Sequence, residues 1–275
     1  MSCPQCFSGA VLDEQPTGSM STEFPGAYLA PAPADTDLST HNKRAILLLT
    51  DIFGLDLVNS KILADNFAKQ LKCDVWVPDL FDGKPPVTVH QMRLLPEVPG
   101  EKMSFWTILQ LIWANLPSLF QLIRKTPPYG AQRATALAHK LKAANKYEKL
   151  GVVGYCFGGG VAILMNAKEP DLLSSVVVAH PSPPSDADLK AGKAPISWAC
   201  ASDDMAISSA RLEQIEALYE ARRGKDDFVD YEVKVYPKTC HGFAARPRLE
   251  HEEIKDAFEK AFQQAVDWFN KTLPV

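Results

Sequence analysis

Gly151-Val152-Val153-Gly154-Tyr155-Cys156-Phe157-Gly158-Gly159-Gly160 carries an apolar run through a Gly-x-Cys-x-Gly turn into a glycine-rich helix start. Leu150 to Val153 read as a short buried strand, and Val161-Ala162-Ile163-Leu164-Met165 continue at helical spacing until Pro170 stops them. The chain must therefore turn sharply at Cys156. Gly154 and Gly158 flank it at positions where a strand-to-helix turn brings backbones too close for a Cβ. This is the pattern of a nucleophile elbow with sulfur in place of the usual serine oxygen. At a helix N-terminus the partial positive charge favours an anionic sulfur, the nucleophilic form. The bland alternative is an inert cysteine packed between strand and helix. A phosphate-binding loop is excluded, because no Lys-Ser/Thr pair follows and no Gly-x-Gly-x-x-Gly aligns here.

Upstream, Ala45-Ile46-Leu47-Leu48-Leu49-Thr50 is a continuous apolar run, as expected of a strand buried on both faces of a parallel sheet. It ends in Asp51-Ile52-Phe53-Gly54-Leu55. A helix over Ser60 to Leu71, with Ile62, Leu63, Phe67 and Leu71 on one face, leads to a second strand over Cys73 to Asp79. This β-α-β unit predicts an α/β fold with a doubly wound, mostly parallel sheet. A helix over Gln132 to Ala144 leads into the elbow strand. Beyond the elbow, strands are expected over Leu173 to His180, Pro195 to Cys200 and Val229 to Tyr236, with helices over Ala210 to Arg223 and His251 to Phe269. His180 ends a strand where such sheets bind ligands. With Pro181 after it, the residue reads as structural.

A chain of 275 residues, 46% hydrophobic and 23% charged, can bury a full core, and a single domain over 1–275 is expected. The net charge of −4 leaves no basic footprint, so neither nucleic acid nor membrane is an expected partner. Six cysteines without a signal-peptide pattern read as the reduced thiols of a cytoplasmic protein. Residues 1–37 are rich in Pro, Ser, Gly and Thr and are expected to wrap the outside, with only Gly26 to Ala30 strand-like. Cys3-Pro4-Gln5-Cys6 is a Cys-x-x-Cys pair. A zinc site needs about four ligands and no second pair is visible, so free surface thiols and no metal are expected.

Residues 80–130 fit the alternating pattern worst and read as a loop and helical insertion. Pro85-Pro86 and Pro96 to Gly100 are loop signals, and Met103 to Ile123 then carry no formal charge. That length raises a transmembrane helix, but Gln110, Asn115, Pro117 and Gln121 interrupt it. Phe105, Trp106, Leu109, Trp113 and Leu116 recur at helical spacing, so an amphipathic helix broken near Pro117 is the better reading. Such a helix is a cap over a site, a homodimer surface, or core. In the first case Trp106 and Trp113, on one helical face, line an apolar acyl pocket.

Three groups then stand in chain order at strand C-terminal ends: the Cys156 thiol, a carboxylate from Asp203-Asp204, and His241 in Thr239-Cys240-His241-Gly242-Phe243. Nucleophile, acid, histidine is the order of an α/β-hydrolase fold. His241 can take the thiol proton and return it to a leaving group, while the carboxylate orients the imidazole. The expected oxyanion donors are the backbone N–H groups of Ile52, after the first parallel strand, and Phe157, just past the nucleophile.

Asp51-Ile-Phe-Gly54, Gly154-Tyr-Cys-Phe-Gly158-Gly159 and His241-Gly-Phe243 with a following Arg resemble the dienelactone hydrolase (carboxymethylenebutenolidase) family, over roughly Tyr28 to the C-terminus. The resemblance implies hydrolysis of a small ester or lactone through an acyl-cysteine intermediate, with no metal or organic cofactor. The Asp204-x-x-Ile207 spacing is similar to the family's acid loop and favours Asp204. An acidic residue held against the resting thiol in the family corresponds to Asp51. A substrate-binding arginine just after the histidine corresponds to Arg246. The competing class is a non-catalytic scaffold that binds small molecules or senses thiols through Cys3, Cys6 and Cys240.

Overall fold

The computed structural model describes residues 11–37, 43–101, 104–115, 124–144 and 146–274. In chain order the elements are β1 (Ser19–Met20), β2 (Ala27–Ala30), β3 (Arg44–Leu49), α1 (Asn59–Leu71), β4 (Asp74–Pro78), α2 (Phe105–Asn115) and α3 (Pro127–Ala143). There follow β5 (Lys149–Tyr155), α4 (Phe157–Lys168), β6 (Ser175–Ala179), α5 (Asp186–Ala191), β7 (Ile196–Asp203), α6 (Ser209–Glu220), β8 (Tyr231–Cys240) and α7 (Glu252–Thr272).

The strands form one sheet in the order β1-β2-β4-β3-β5-β6-β7-β8. From β4 to β8 every pairing is parallel, and β2 and β1 add an antiparallel edge. The chain steps from β3 to β4 on one side and then crosses to β5 on the other. The strand order therefore reverses between β3 and β5, the kind of crevice where open α/β sheets bind ligands.

The inner strands β3 to β6 are buried on both faces because helices cover both. Ala45, Leu47 and Leu49 of β3 join a core with Ala134 and Leu141 of α3, Val161 and Met165 of α4, and Ile215 of α6. Ile46 and Leu48 point the other way, into a second core with Leu63 and Phe67 of α1 and Ala261, Ala265 and Phe269 of α7. Each fully buried Leu or Phe in these layers contributes roughly 1.5–3 kcal/mol relative to exposure. The buried Arg44 ties this second layer together: its guanidinium donates to the carbonyls of Leu71 and Leu273 at 2.8 Å each, at the C-terminal ends of α1 and α7.

The structure departs from the sequence expectations in specific places. β8 does not stop at Tyr236 but continues to Cys240, passing Pro237 and the left-handed Lys238 (φ 56). It is an edge strand paired on one side only, where a proline is tolerated. A short 3₁₀ helix over Val89–Leu94, capped reciprocally by Thr88 and Gln91, occupies part of what reads as loop. α5 forms after the Pro181 to Pro184 stretch because Ser185 caps it, its hydroxyl accepting from the Asp188 N–H. The described part of the 103–123 helix is α2, and the expected break near Pro117 lies outside the described residues, as do Cys3 and Cys6. Phe105, Trp106 and Trp113 are 69%, 72% and 71% exposed. Those three aromatic side chains are therefore not part of the core. No helix among the described residues is long and apolar enough to cross a membrane.

Candidate active site

Cys156 stands between β5 and α4 with φ 51 and ψ −112, a conformation that costs a non-glycine residue of order 1–3 kcal/mol. The surroundings enforce it. A Cβ on Gly154 would lie 2.2 Å from the Gly158 carbonyl oxygen, and one on Gly158 would lie 2.2 Å from that of Leu49. The Gly158 N–H donates to the Thr50 carbonyl at 3.0 Å and the Cys156 N–H to that of Ala179 at 3.1 Å. The turn is thus pinned to the ends of β3 and β6, its neighbours in the sheet.

The Cys156 sulfur lies 3.0 Å from His241 Nε2. On the other side of the ring, Nδ1 lies 2.9 and 3.0 Å from the two carboxylate oxygens of Asp204. Asp204 Oδ1 also accepts from the Ala206 N–H at 2.7 Å, which holds the carboxylate in its own turn. Burial alone would push the His241 imidazolium down. The sulfur of Cys156 and the hydrogen-bonded Asp204 carboxylate outweigh it and raise the group from 6.5 to about 10. Asp203, the other half of the pair, points away from His241 and accepts from the Gly100 N–H at 2.7 Å.

Among the described residues no acceptor meets the backbone N–H of Ile52 or of Phe157. Phe157 opens α4, where an N–H has no intrahelical partner. Ile52 follows Asp51 in the turn after β3, and the Gly54 N–H closes that turn on the Asp51 carbonyl at 3.2 Å.

Asp51 is fully buried, with Oδ1 accepting from the Phe53 N–H at 3.0 Å and Oδ2 without a hydrogen-bond partner among the described residues. Its carboxylate bonds within its own loop, and the hydrogen-bond partner of the sulfur is His241. Burial pushes the Asp51 carboxyl up from 3.8 to about 6 against the pull of Arg246, the Phe53 N–H and His241. Arg246 is buried too, packed over Gly242 and donating from Nη2 to the His241 carbonyl at 3.2 Å. It is therefore not an ordinary surface cation.

His180 was readable only as a strand-end residue, and its surroundings come from the fold. Its ring is buried edge-on to His241, 5.1 Å between centroids, and 5.7 Å from Phe243. Neither ring nitrogen has a partner among the described residues. Burial, with His241 and Arg246 nearby, holds it well below the usual histidine range, so the ring is neutral. Cys240, also buried, has its thiol pushed up to about 11 by burial and donates to the Pro96 carbonyl at 3.8 Å. Trp106 and Trp113 lie on the exposed face of α2. Among the described residues no group of three His, Cys, Asp or Glu side chains is arranged to hold a metal ion.

A mostly parallel sheet with helices on both faces, an elbow after its central strand, and an acid and a histidine after the last two strands define an α/β-hydrolase. The solved structure of a putative dienelactone hydrolase from Klebsiella pneumoniae shares this fold: TM-score 0.62 and 17% identity, covering 89% of this chain and 92% of that one. The chain belongs to the dienelactone hydrolase family, whose sequence profile matches residues 32–273. Hydrolase pyvD of Aspergillus violaceofuscus is 32% identical over 98% of this chain and 96% of its own length. The carboxymethylenebutenolidase homolog of Mus musculus is 26% identical over 98% and 96%. The protein is accordingly a hydrolase acting on ester bonds, with a small-molecule ester or lactone as substrate.

Proposed function

We propose that the protein cleaves its ester or lactone through an acyl-enzyme formed on Cys156, with His241 as proton carrier and Asp204 orienting it. The observation that carries this reading is the continuous chain Cys156 Sγ, His241 Nε2, His241 Nδ1, Asp204, with contacts of 3.0 and 2.9 Å. The anionic sulfur attacks the carbonyl carbon, forming the C–S bond, and the carbonyl electron pair moves onto oxygen. In this reading the N–H groups of Ile52 and Phe157, which meet no acceptor among the described residues, receive that oxyanion, a contribution of about 3–4 kcal/mol per donor in other enzymes. As the intermediate collapses, the C–O bond breaks and the alkoxide takes the proton from His241 Nε2. In a lactone the alkoxide stays on the acyl chain. Water then attacks the thioester while His241 takes its proton, and the C–S bond breaks to release the acid and restore the sulfur anion. Asp204 stabilises the imidazolium whenever His241 carries the second proton and orients the neutral ring in the acyl-enzyme.

Around this centre the buried Arg246 offers a cation for a substrate carboxylate, with Asp51 as its nearby anion. Trp106 and Trp113 offer an apolar surface on the insertion. The name of the mouse relative, a carboxymethylenebutenolidase homolog, supports a lactone among the substrates. The thiol-sensing alternative loses ground at Cys240, whose buried, high-pKa thiol is the reverse of a reactive one.

The test is Cys156→Ala assayed with short p-nitrophenyl and thiol esters beside the wild type with and without a thiol-blocking reagent. Activity is expected to fall by several orders of magnitude with the fold intact, since removing one member of a triad removes nearly all of its effect. Wild-type turnover in that variant would end the acyl-cysteine reading.

A further inference from the structure

The connection from Val87 to Glu101 touches three of the loops that carry the site. At its start, Val87 and Met92 are buried against Phe53 and Leu57, and Val89 and Leu95 pack on the same cluster, as does Ile52. Further on, the Pro96 carbonyl accepts from the Cys240 thiol, and Glu97 forms an ion pair with Arg248 beyond the histidine loop. At its end, the Gly100 N–H donates to Asp203 Oδ2 at 2.7 Å.

Asp203 and Cys240 are register partners across β7 and β8. The connection is therefore fastened to both ends of one rung, and the first residue beyond each strand is Asp204 or His241. A loop held at both ends of that rung is anchored one residue from the acid and one residue from the base. The grip on the Asp203 side is a single hydrogen bond to a solvent-exposed carboxylate, which a rim contact can lose without unfolding anything.

We propose that Asp203 is a positioning residue: by holding Gly100 it seats the 87–101 connection beside the Asp204–His241 pair and limits how bulky an acyl group reaches Cys156. The proposal rests on the hydrolase reading of the site but concerns access to its sulfur. Loss of the grip lets the rim retreat, and bulky groups gain more than small ones.

The experiment compares wild type, Asp203→Ala and Asp203→Asn in two arms. One arm measures kcat and KM for p-nitrophenyl acetate and p-nitrophenyl benzoate. The other follows alkylation of Cys156 by iodoacetamide and by N-benzyl iodoacetamide, read by peptide mass spectrometry. In that reaction the sulfur displaces iodide and no turnover is needed.

In Asp203→Ala the bulky-to-small ratio is expected to rise about fivefold in both arms, the factor one hydrogen bond supports. The change should sit in KM for the benzoate, with kcat for the acetate within about twofold of wild type. Asp203→Asn should return both ratios to wild type, because its amide oxygen still accepts from Gly100. An unchanged ratio in Asp203→Ala, an equal change for both probes, or no rescue by Asp203→Asn would overturn the proposal. Absence of ester turnover in the wild type would instead sink the hydrolase reading, and the alkylation arm would still decide the role of Asp203.

Discussion

Asp203 and Cys240 face each other across β7 and β8, and the first residues beyond the two strands, Asp204 and His241, meet at 2.9 Å. Residues 37 apart in the chain become partners because a parallel register places both strand ends at one edge. A register shift between Ala201 and Asp203 adjusts the two ends, as irregularities near active sites commonly do by re-aiming a side chain. Beyond it, Asp204 bonds to the imidazole and Asp203 to the 87–101 connection.

Asp204→Asn is expected to lower kcat by about 10⁴-fold, because an amide facing Nδ1 selects the wrong imidazole tautomer. Asp203→Asn should leave kcat on a small ester nearly unchanged. Steady-state kinetics on the two variants check the ranking, and the reverse order would exchange their roles.

Arg246→Ala should raise KM for anionic lactones by a factor corresponding to roughly 1.5–3 kcal/mol and leave neutral esters alone. The guanidinium also supports the His241 carbonyl, so thermal unfolding of the variant belongs beside the kinetics. An equal loss on anionic and neutral substrates would mean that Arg246 serves the histidine loop and not the substrate.

Asp51 makes stability depend on pH in a definite direction. Its carboxyl titrates at 3.8 when unfolded and at about 6 when folded. Between those values the folded state binds more protons, so ionising Asp51 costs stability as pH rises through that window, and the cost is complete above it. Asp51→Asn keeps an acceptor for the Phe53 N–H and removes the charge. It should gain up to about 3 kcal/mol near pH 8 and almost nothing near pH 4, measured as urea unfolding free energies. A gain of the same size at both pH values would show that the effect is packing and not ionisation.

Trp106→Ala and Trp113→Ala should each change stability by no more than about 0.5 kcal/mol, given their exposure. If α2 caps the site, both shift the preference among acyl chain lengths. Chain-length profiles identical to wild type would remove the two tryptophans from substrate binding.

The sequence by itself determined the α/β sheet, the sharp turn at Cys156 and the chain order of thiol, carboxylate and histidine. These are local signals: doubly buried apolar runs, helical spacing, and glycines that a strand-to-helix turn requires on both sides of a cysteine. The likeness of Asp204-x-x-Ile207 to the family's acid loop already favoured Asp204; the tertiary structure supplied the geometry, with Asp204 2.9 Å from His241 and Asp203 bonded to Gly100 at the end of β7. It also carried β8 through Pro237 to Cys240, because that strand lies on an edge where a proline costs no ladder bond. It set the neutral ring of His180 against His241, kept Asp51 in its own loop, and turned Trp106 and Trp113 to solvent. Each of these depends on pairing register and packing between elements far apart in the chain, which the periodicity of any one segment cannot encode.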